Sequence, residues 1–175
     1  LCAGTDTKIC VVCDFPFGLS TTASKVLQAE EYCRRGDIFE LDVVANYGWI
    51  RSGMWDEVRA DIKAVVDVCH KYGVAVKTIM ETDALTVDEV KKAAKVLAEA
   101  GTDFVKTSTG FYTGAPCVGA TPELIGEIME AVGDEVKIKG SGCIRTREHF
   151  LKLIDMGIDR MGVGYKSTPV VLGLK

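Results

Sequence analysis

The strongest constraint on the fold is a repeat in which a short apolar segment is followed by an amphipathic helical segment. The strand candidates are Lys8–Phe15, Ile38–Val44, Val74–Met80, Asp103–Ser108, Glu135–Gly140 and Arg160–Gly164. The helices predicted between them are Thr22–Arg35, Met54–Tyr72, Val87–Ala100, Pro122–Val132 and Arg147–Met156. Strands that alternate with helices pair in parallel through right-handed crossovers. Because no linker-like stretch divides the chain, we expect residues 1–175 to form a single α/β domain.

Residues at the predicted helix ends support these boundaries. Thr86 and Glu89 have the spacing of a capping box. Thr121 is followed by Pro122, an N-cap with proline at the first helical position. Thr146 is a further N-cap candidate.

Charged residues inside the strands distinguish between two α/β architectures. Charged residues lie in mid-strand or near the ends of apolar strands at Glu40, Asp42, Lys77, Glu81, Lys106, Lys137 and Lys139. An open sheet covered by helices on both faces has little use for them, whereas a TIM (β/α)8 barrel gathers its C-terminal strand ends around one site. We therefore predict a TIM barrel. A full barrel needs eight strands, so we expect this chain to lack about two βα units at its N-terminus. The missing initiator Met likewise suggests that the protein starts upstream.

The charge and hydrophobic composition of the chain limit the kinds of molecule that it is expected to bind. A net charge of -4 argues against broad nucleic-acid binding, which needs a basic face. The chain contains no apolar run near the ~20 residues of a membrane span. Small anionic substrates remain compatible with an acidic protein, because a local cationic pocket is sufficient.

The cysteines and histidines give little sign of metal or redox chemistry. Seven irregularly spaced cysteines predict buried free thiols in a reducing cytoplasm rather than a disulfide framework. Cys10 and Cys13 match C-x-x-C but lie inside a strand, whereas redox pairs open a helix. His70 and His149 lack a second ligand at helical spacing, so we expect surface or helix-end residues and no metal site.

Two lysines are candidates for covalent catalysis. Alternation places Lys106 on the same face as Phe104 and Ser108, and Lys139 follows on the next strand. Adjacent parallel strands lie about 4.8 Å apart, so the two lysines can project side by side. Desolvation and like-charge repulsion lower a lysine pKa, and a neutral lysine can form a Schiff base with a carbonyl. Asp42 could pair with Lys139 and move protons. The alternative is that the lysines are strand-end residues whose ammonium groups reach water.

Glycine-rich turns after the last two strands are candidates for anion binding. Gly140-Ser141-Gly142 follows one strand, and the segment 162–169 follows the next and opens a last helix. Backbone N–H groups and a helix N-terminus favour phosphate there. Lys166 and Arg145 could add positive charge. The alternative is that these are ordinary turns.

Several segments together resemble the deoxyribose-phosphate aldolase family. They are FPFG at 15–18, ELDVV at 40–44, IRSG at 50–53, FVKTSTGF at 104–111 and IKGSGCIRT at 138–146. The similarity runs along nearly the whole chain, and VKTSTGF is its most specific part. It implies a TIM barrel that reversibly cleaves 2-deoxyribose 5-phosphate to glyceraldehyde 3-phosphate and acetaldehyde, without a metal or organic cofactor. Members often self-associate, so a homo-oligomer is also expected.

The resemblance assigns roles to individual residues. It implies that Lys106 is the Schiff-base lysine, that Lys139 perturbs it and that Asp42 relays protons. It places Gly110, Gly142 and Gly162 near the substrate phosphate. The remaining positions of the predicted substrate site are Thr109, Cys143, Gly164, Lys166 and Ser167.

The chain departs from the family pattern in the anion-binding loops. Cys143 stands where the family has the second of two glycines, and Gly164-Tyr165 replaces a pair of serines. These changes leave two alternatives to the leading interpretation. One is a Schiff-base barrel aldolase with a different sugar or aldehyde substrate. The other is a binding protein that keeps the sugar-phosphate pocket without turnover.

Overall fold

Parallel strands form one sheet whose strand order follows the chain order. The computed structural model describes residue 2 and residues 4–174. Within them the strands are β1 Cys10–Cys13, β2 Glu40–Val44, β3 Ala75–Ile79, β4 Phe104–Lys106, β5 Lys137–Ser141 and β6 Arg160–Gly162. The helices are α1 Thr22–Arg34, α2 Tyr47–Arg51, α3 Trp55–Lys71, α4 Val87–Glu99, α5 Pro122–Val132, α6 Arg147–Asp155 and α7 Thr168–Val171, with a 3-10 turn at Thr82–Ala84.

The strand order identifies the sheet as part of a barrel. Each strand pairs in parallel with its chain neighbour, in the order β1-β2-β3-β4-β5-β6. A doubly wound sheet would reverse its strand order at a switch point. Among the described residues, β1 and β6 each pair with one neighbour only. The sheet is therefore an arc of six strands from a (β/α)8 barrel, as predicted.

The helix ends agree with the predicted capping residues. Thr86 and Glu89 form a reciprocal capping box at the start of α4. The side chains of Thr121 and Thr146 accept the Leu124 and His149 backbone N–H groups at the starts of α5 and α6. The short helix α2 was not predicted. Its sequence is too short to show a period, and its N-cap is Asn46, whose side chain accepts the Trp49 N–H.

Alternation along the strands separates the core from the barrel interior. Leu41, Val43, Val76, Val105 and Ile138 are buried in the apolar core with residues of the surrounding helices. The intervening positions on β2 to β5 point to the opposite side and carry buried charges instead. They are Asp42, Lys77, Lys106 and Lys139. The same alternation therefore builds the core and concentrates charge inside the barrel.

A separate buried ion pair joins α1 to α3. The Lys25 ammonium lies 2.6 Å from Asp61 and donates to the Val44 carbonyl oxygen at 3.1 Å. Thr22 also donates to Asp61, at 2.6 Å. These groups satisfy each other within the helix layer, so we interpret this lysine as structural.

Candidate active site

The Asp42 carboxylate is the centre of the charged cluster inside the barrel. Its Oδ2 atom accepts hydrogen bonds from the Nζ atoms of Lys106 at 2.6 Å and Lys139 at 2.8 Å. Its Oδ1 atom accepts from Lys77 Nζ at 2.9 Å. The sheet register explains the convergence, because Asp42 pairs with Lys77 on β3 and Lys106 pairs with Lys139 on β5. The predictions that Lys106 and Lys139 project side by side, and that Asp42 pairs with Lys139, are confirmed.

The cluster lowers the pKa of Lys106 and keeps Asp42 ionised. Burial lowers the pKa of Lys106, and the charge of Lys139 lowers it further, against the opposing attraction of Asp42. Burial would raise the pKa of Asp42, but the charges of Lys106, Lys139 and Lys77 outweigh it and hold that pKa well below its usual range. Lys106 therefore loses its proton more readily than an ordinary lysine, as a nucleophilic amine requires.

A cavity of about 380 Å³ opens above Lys106 at the C-terminal ends of the strands. Seven of the eight predicted substrate-binding positions line it. They are Thr109, Gly110, Gly142, Cys143, Gly162, Gly164 and Ser167. The turns after β4, β5 and β6 thus meet over the lysine, as expected for βα loops at the top of a barrel.

The structure does not bring Lys166 to this cavity. Among the described residues, the lining lacks Lys166, which is exposed with its Nζ atom 5.9 Å from the centroid of the Tyr165 ring. The Tyr165 side chain is itself 82% exposed. The turn therefore directs both side chains towards solvent. Arg145, in contrast, lines the cavity together with Lys106.

Glu81 was noted in the sequence as a charged residue but was given no role. It is buried directly after β3 in a left-handed backbone conformation (φ +59°). Its carboxylate accepts the Thr109 hydroxyl and the Thr109 backbone N–H. Burial raises the pKa of Glu81. These hydrogen bonds fix the position of Thr109, which lines the same cavity as Lys106.

Lys77 was also recognised only as a charged strand residue. Alternation predicts that it faces the interior, but only the register between strands shows that it meets Asp42. Its contacts extend to Glu40, whose Oε2 atom lies 2.7 Å from Lys77 Nζ.

Cys143 occupies a backbone conformation that favours glycine. Its φ is +54°, and its thiol lies 3.1 Å from the Cys117 carbonyl oxygen. A side chain in the left-handed region costs on the order of 1 kcal/mol. The glycine expected from the family resemblance would remove that cost.

We expect Cys143→Gly to raise the free energy of unfolding by up to about 1 kcal/mol. Cys143→Ala is the matched control, because it removes the same thiol contact but keeps the Cβ atom in the left-handed conformation. Urea unfolding of the two variants measures the difference. Equal stability of Cys143→Gly and Cys143→Ala would contradict the strain argument.

The cysteines of the described residues are all free, but they are not all buried as predicted. Cys10 is exposed on β1, which pairs with one neighbour only among the described residues, and Cys2, Cys117 and Cys143 are half-buried. His70 lies in the last turn of α3, as expected. The described residues contain no cluster of three or more His, Cys, Asp or Glu side chains able to hold a metal ion. None of their helices has the length and apolarity to cross a membrane.

Comparison with known proteins agrees with this geometry. Residues 4–168 match the model of the DeoC/LacD family of aldolases. The chain belongs to the DeoC/LacD aldolase family. A deoxyribose-phosphate aldolase of Mannheimia succiniciproducens is 42% identical over 173 residues, covering 99% of this chain and 74% of the relative. A deoxyribose-phosphate aldolase of Staphylococcus carnosus is 41% identical over 171 residues, covering 98% and 74%.

Solved structures of aldolases share the fold. The aldolase QR15 superposes with a TM-score of 0.83 at 38% identity, covering 91% of this chain and 69% of the QR15 chain. The deoxyribose-phosphate aldolase of Aeropyrum pernix, described as tetrameric, has a TM-score of 0.82 at 26% identity, covering 96% of this chain and 68% of that one. Family membership and the barrel architecture thus rest on both sequence and structure.

Proposed function

We propose that this chain is a class I aldolase that reversibly cleaves 2-deoxy-D-ribose 5-phosphate to D-glyceraldehyde 3-phosphate and acetaldehyde. The observation that carries the proposal is the arrangement of Lys106 and Lys139 on one oxygen of Asp42 beneath the cavity. A buried lysine with a lowered pKa beside a second lysine is the arrangement that Schiff-base chemistry needs. A protein that only bound a sugar phosphate would have little use for it.

In the proposed reaction, the neutral Lys106 amine attacks the C1 aldehyde of the open-chain sugar. Loss of water gives an iminium ion, which accepts the electron pair of the C2–C3 bond as that bond breaks. The C3 hydroxyl loses its proton and becomes the aldehyde of glyceraldehyde 3-phosphate. Protonation of the remaining enamine and hydrolysis release acetaldehyde and the Lys106 amine. Asp42 and Lys139 are positioned to move the protons that these steps require.

The loops over Lys106 support binding of the phosphate end. Gly142 and Gly162 line the cavity, and glycines let backbone N–H groups approach an anion. Arg145 and Ser167 add a cation and a hydroxyl to the same lining. We propose that these groups, with Thr109, Gly110, Cys143 and Gly164, bind the substrate.

One feature favours a second candidate, an aldolase with a different or unphosphorylated acceptor aldehyde. Gly164 and Tyr165, which stand where the family has serines, are exposed, and Ser167 supplies the side-chain hydroxyl that the turn after β6 contributes to the cavity. Fewer hydroxyl donors weaken phosphate binding. The Lys106 chemistry is the same for both candidates.

The decisive experiment is reduction with sodium borohydride in the presence of 2-deoxyribose 5-phosphate, followed by peptide mass spectrometry. We expect a reduced adduct on Lys106. An adduct with acetaldehyde but none with the sugar phosphate would favour the second candidate. No adduct with either compound, from folded protein, would refute the Schiff-base proposal.

Lys139→Met should move the acid limb of the kcat/KM–pH profile upward. The charge of Lys139 lowers the pKa of Lys106, so its removal raises that pKa, and the reactive amine then becomes populated only at higher pH. Lys137→Met is the matched control, because it removes an exposed lysine from the same strand. The proposed role of Lys139 fails if both variants keep the wild-type profile.

The proposal extends to assembly and location. The relative from Aeropyrum pernix is described as tetrameric, which supports self-association of this chain and can be tested by light scattering. The free cysteines support a reducing cytoplasm as the compartment.

A further inference from the structure

We propose that Lys77 is a positioning residue for the aldolase reaction, held by Glu40 and holding the Asp42 carboxylate so that one oxygen faces both Lys106 and Lys139. This inference rests on the proposed function and adds to the reaction a residue that touches neither substrate nor the reacting atoms.

Three polar partners surround the Lys77 ammonium group. Its ammonium is completely buried and lies 2.7 Å from Glu40 Oε2, 2.9 Å from Asp42 Oδ1 and 3.3 Å from Cys10 Sγ. An ammonium group has three N–H donors, so each has a partner. Burial opposes the charge of Lys77, but Asp42 and Glu40 outweigh it and raise its pKa. Lys77 is therefore a fixed cation and not a second nucleophile.

The two carboxylate oxygens of Asp42 have different hydrogen-bond partners. Oδ1 accepts from the Lys77 ammonium at 2.9 Å and from the Cys10 thiol at 3.3 Å, while Oδ2 accepts from Lys106 and Lys139. A carboxylate bonded on one side only could rotate about its Cβ–Cγ bond. With Oδ1 held by Lys77, Oδ2 stays between the two reactive lysines. Lys77 also partly neutralises the negative charge of Asp42. This weakens the attraction between Asp42 and a protonated Lys106.

Lys77 is itself held in place through Glu40 by a residue of β6. Glu40 accepts a hydrogen bond from Arg160 on β6 and forms an ion pair with Lys77 on β3. Arg160 and Lys77 both lie over the ring of Phe104, at 5.2 and 6.0 Å from its centroid. A chain of alternating charges thus runs from Arg160 through Glu40 and Lys77 to Asp42. It ties β6 to the strands that carry the reactive groups.

The test is the pH–rate profile of Lys77→Met. We expect kcat to fall about tenfold to a hundredfold, the loss typical of a small misplacement at the reacting centre. We also expect the acid limb of kcat/KM to move upward, because Asp42 would act on Lys106 with its full charge. The matched control, Lys137→Met on β5, should leave both quantities unchanged.

Lys77→Met removes a buried partner from both Glu40 and Asp42, which destabilises the fold. A second variant therefore tests the proposal in case the single variant does not fold. Lys77→Met combined with Glu40→Gln removes one positive and one negative charge together, and Arg160 is exposed enough to be hydrated. The same upward shift is expected. Lys77→Arg, which keeps the charge and the donors, should restore the wild-type profile in part.

The proposal is overturned if the folded double variant loses rate but keeps the wild-type pH profile, since a merely structural lysine would give that result. It is also overturned if Lys77→Met matches Lys137→Met. Borohydride trapping on the wild-type protein separates this failure from failure of the proposed function. An adduct on Lys106, together with an unchanged pH–rate profile in the Lys77 variants, would refute only the positioning role. Absence of the adduct would refute the proposed reaction.

Discussion

Lys106→Ala is expected to lower kcat/KM by more than about a thousandfold, ~4 kcal/mol of transition-state stabilisation. Alanine has no amine to attack the substrate carbonyl, so the covalent route is lost and not merely slowed. Steady-state assay of deoxyribose 5-phosphate cleavage measures the loss. Borohydride trapping of the same variant should give no adduct on the neighbouring Lys139.

The control for this prediction is Lys137→Ala, on the neighbouring strand β5 and exposed. It should retain wild-type activity. A Lys106→Ala variant that is folded but active within about tenfold of wild type (~1.4 kcal/mol) would show that the nucleophile is another group. Circular dichroism and a thermal melt establish that the variant is folded.

Asp42→Asn is expected to lower kcat by roughly a hundredfold to ten-thousandfold, the range for loss of a positioned proton-transfer group. Asparagine keeps the shape of the side chain but can neither carry the negative charge nor shuttle a proton. The pKa of Lys106 should fall further, because the attraction of Asp42 now raises it. The acid limb of the pH profile should therefore move downward, opposite to the shift expected for Lys139→Met.

The same variant should also be less stable. It leaves Lys77, Lys106 and Lys139 without their shared counter-ion, and breaking a buried ion pair costs about 3–5 kcal/mol. Since the folded-state pKa of Asp42 is lowered, its contribution is present above the ordinary aspartate pKa and is lost as pH falls towards the folded value. Urea unfolding at neutral and acidic pH should thus show a smaller acid sensitivity in Asp42→Asn. Equal acid sensitivity, or a kcat within tenfold of wild type, would contradict the role assigned to Asp42.

The structural features that depend on side-chain periodicity or on capping residues could be predicted from the sequence. Alternation along a strand fixes which side chains face the barrel interior, and that helped to place Lys106 beside Lys139. Helix ends were equally predictable where a capping side chain marks them, as at Thr86 and Thr121. The capping residues are local information, whereas the Lys106–Lys139 pair also needed the expected parallel pairing of consecutive strands.

The parts that depend on non-local geometry could not be predicted. The contact between Lys77 and Asp42 requires the register between β2 and β3, which the separate strand patterns do not contain. The outward direction of Lys166 depends on the course of a turn, where no periodicity applies. The role of Glu81 depends on a single left-handed residue that folds its carboxylate back onto Thr109.

The reactive groups lie on strands, whereas many of the groups proposed to contact the rest of the substrate lie in turns. Lys106, Lys139 and Asp42 lie on hydrogen-bonded strands, whereas the residues from 162 to 167 in the cavity wall come mostly from the turn after β6. Turns accept replacement far more readily than paired strands do. A library of variants confined to residues 163–167 can therefore explore new acceptor aldehydes while the carbon–carbon bond chemistry is inherited intact. In such a protein the range of substrates can evolve separately from the reaction.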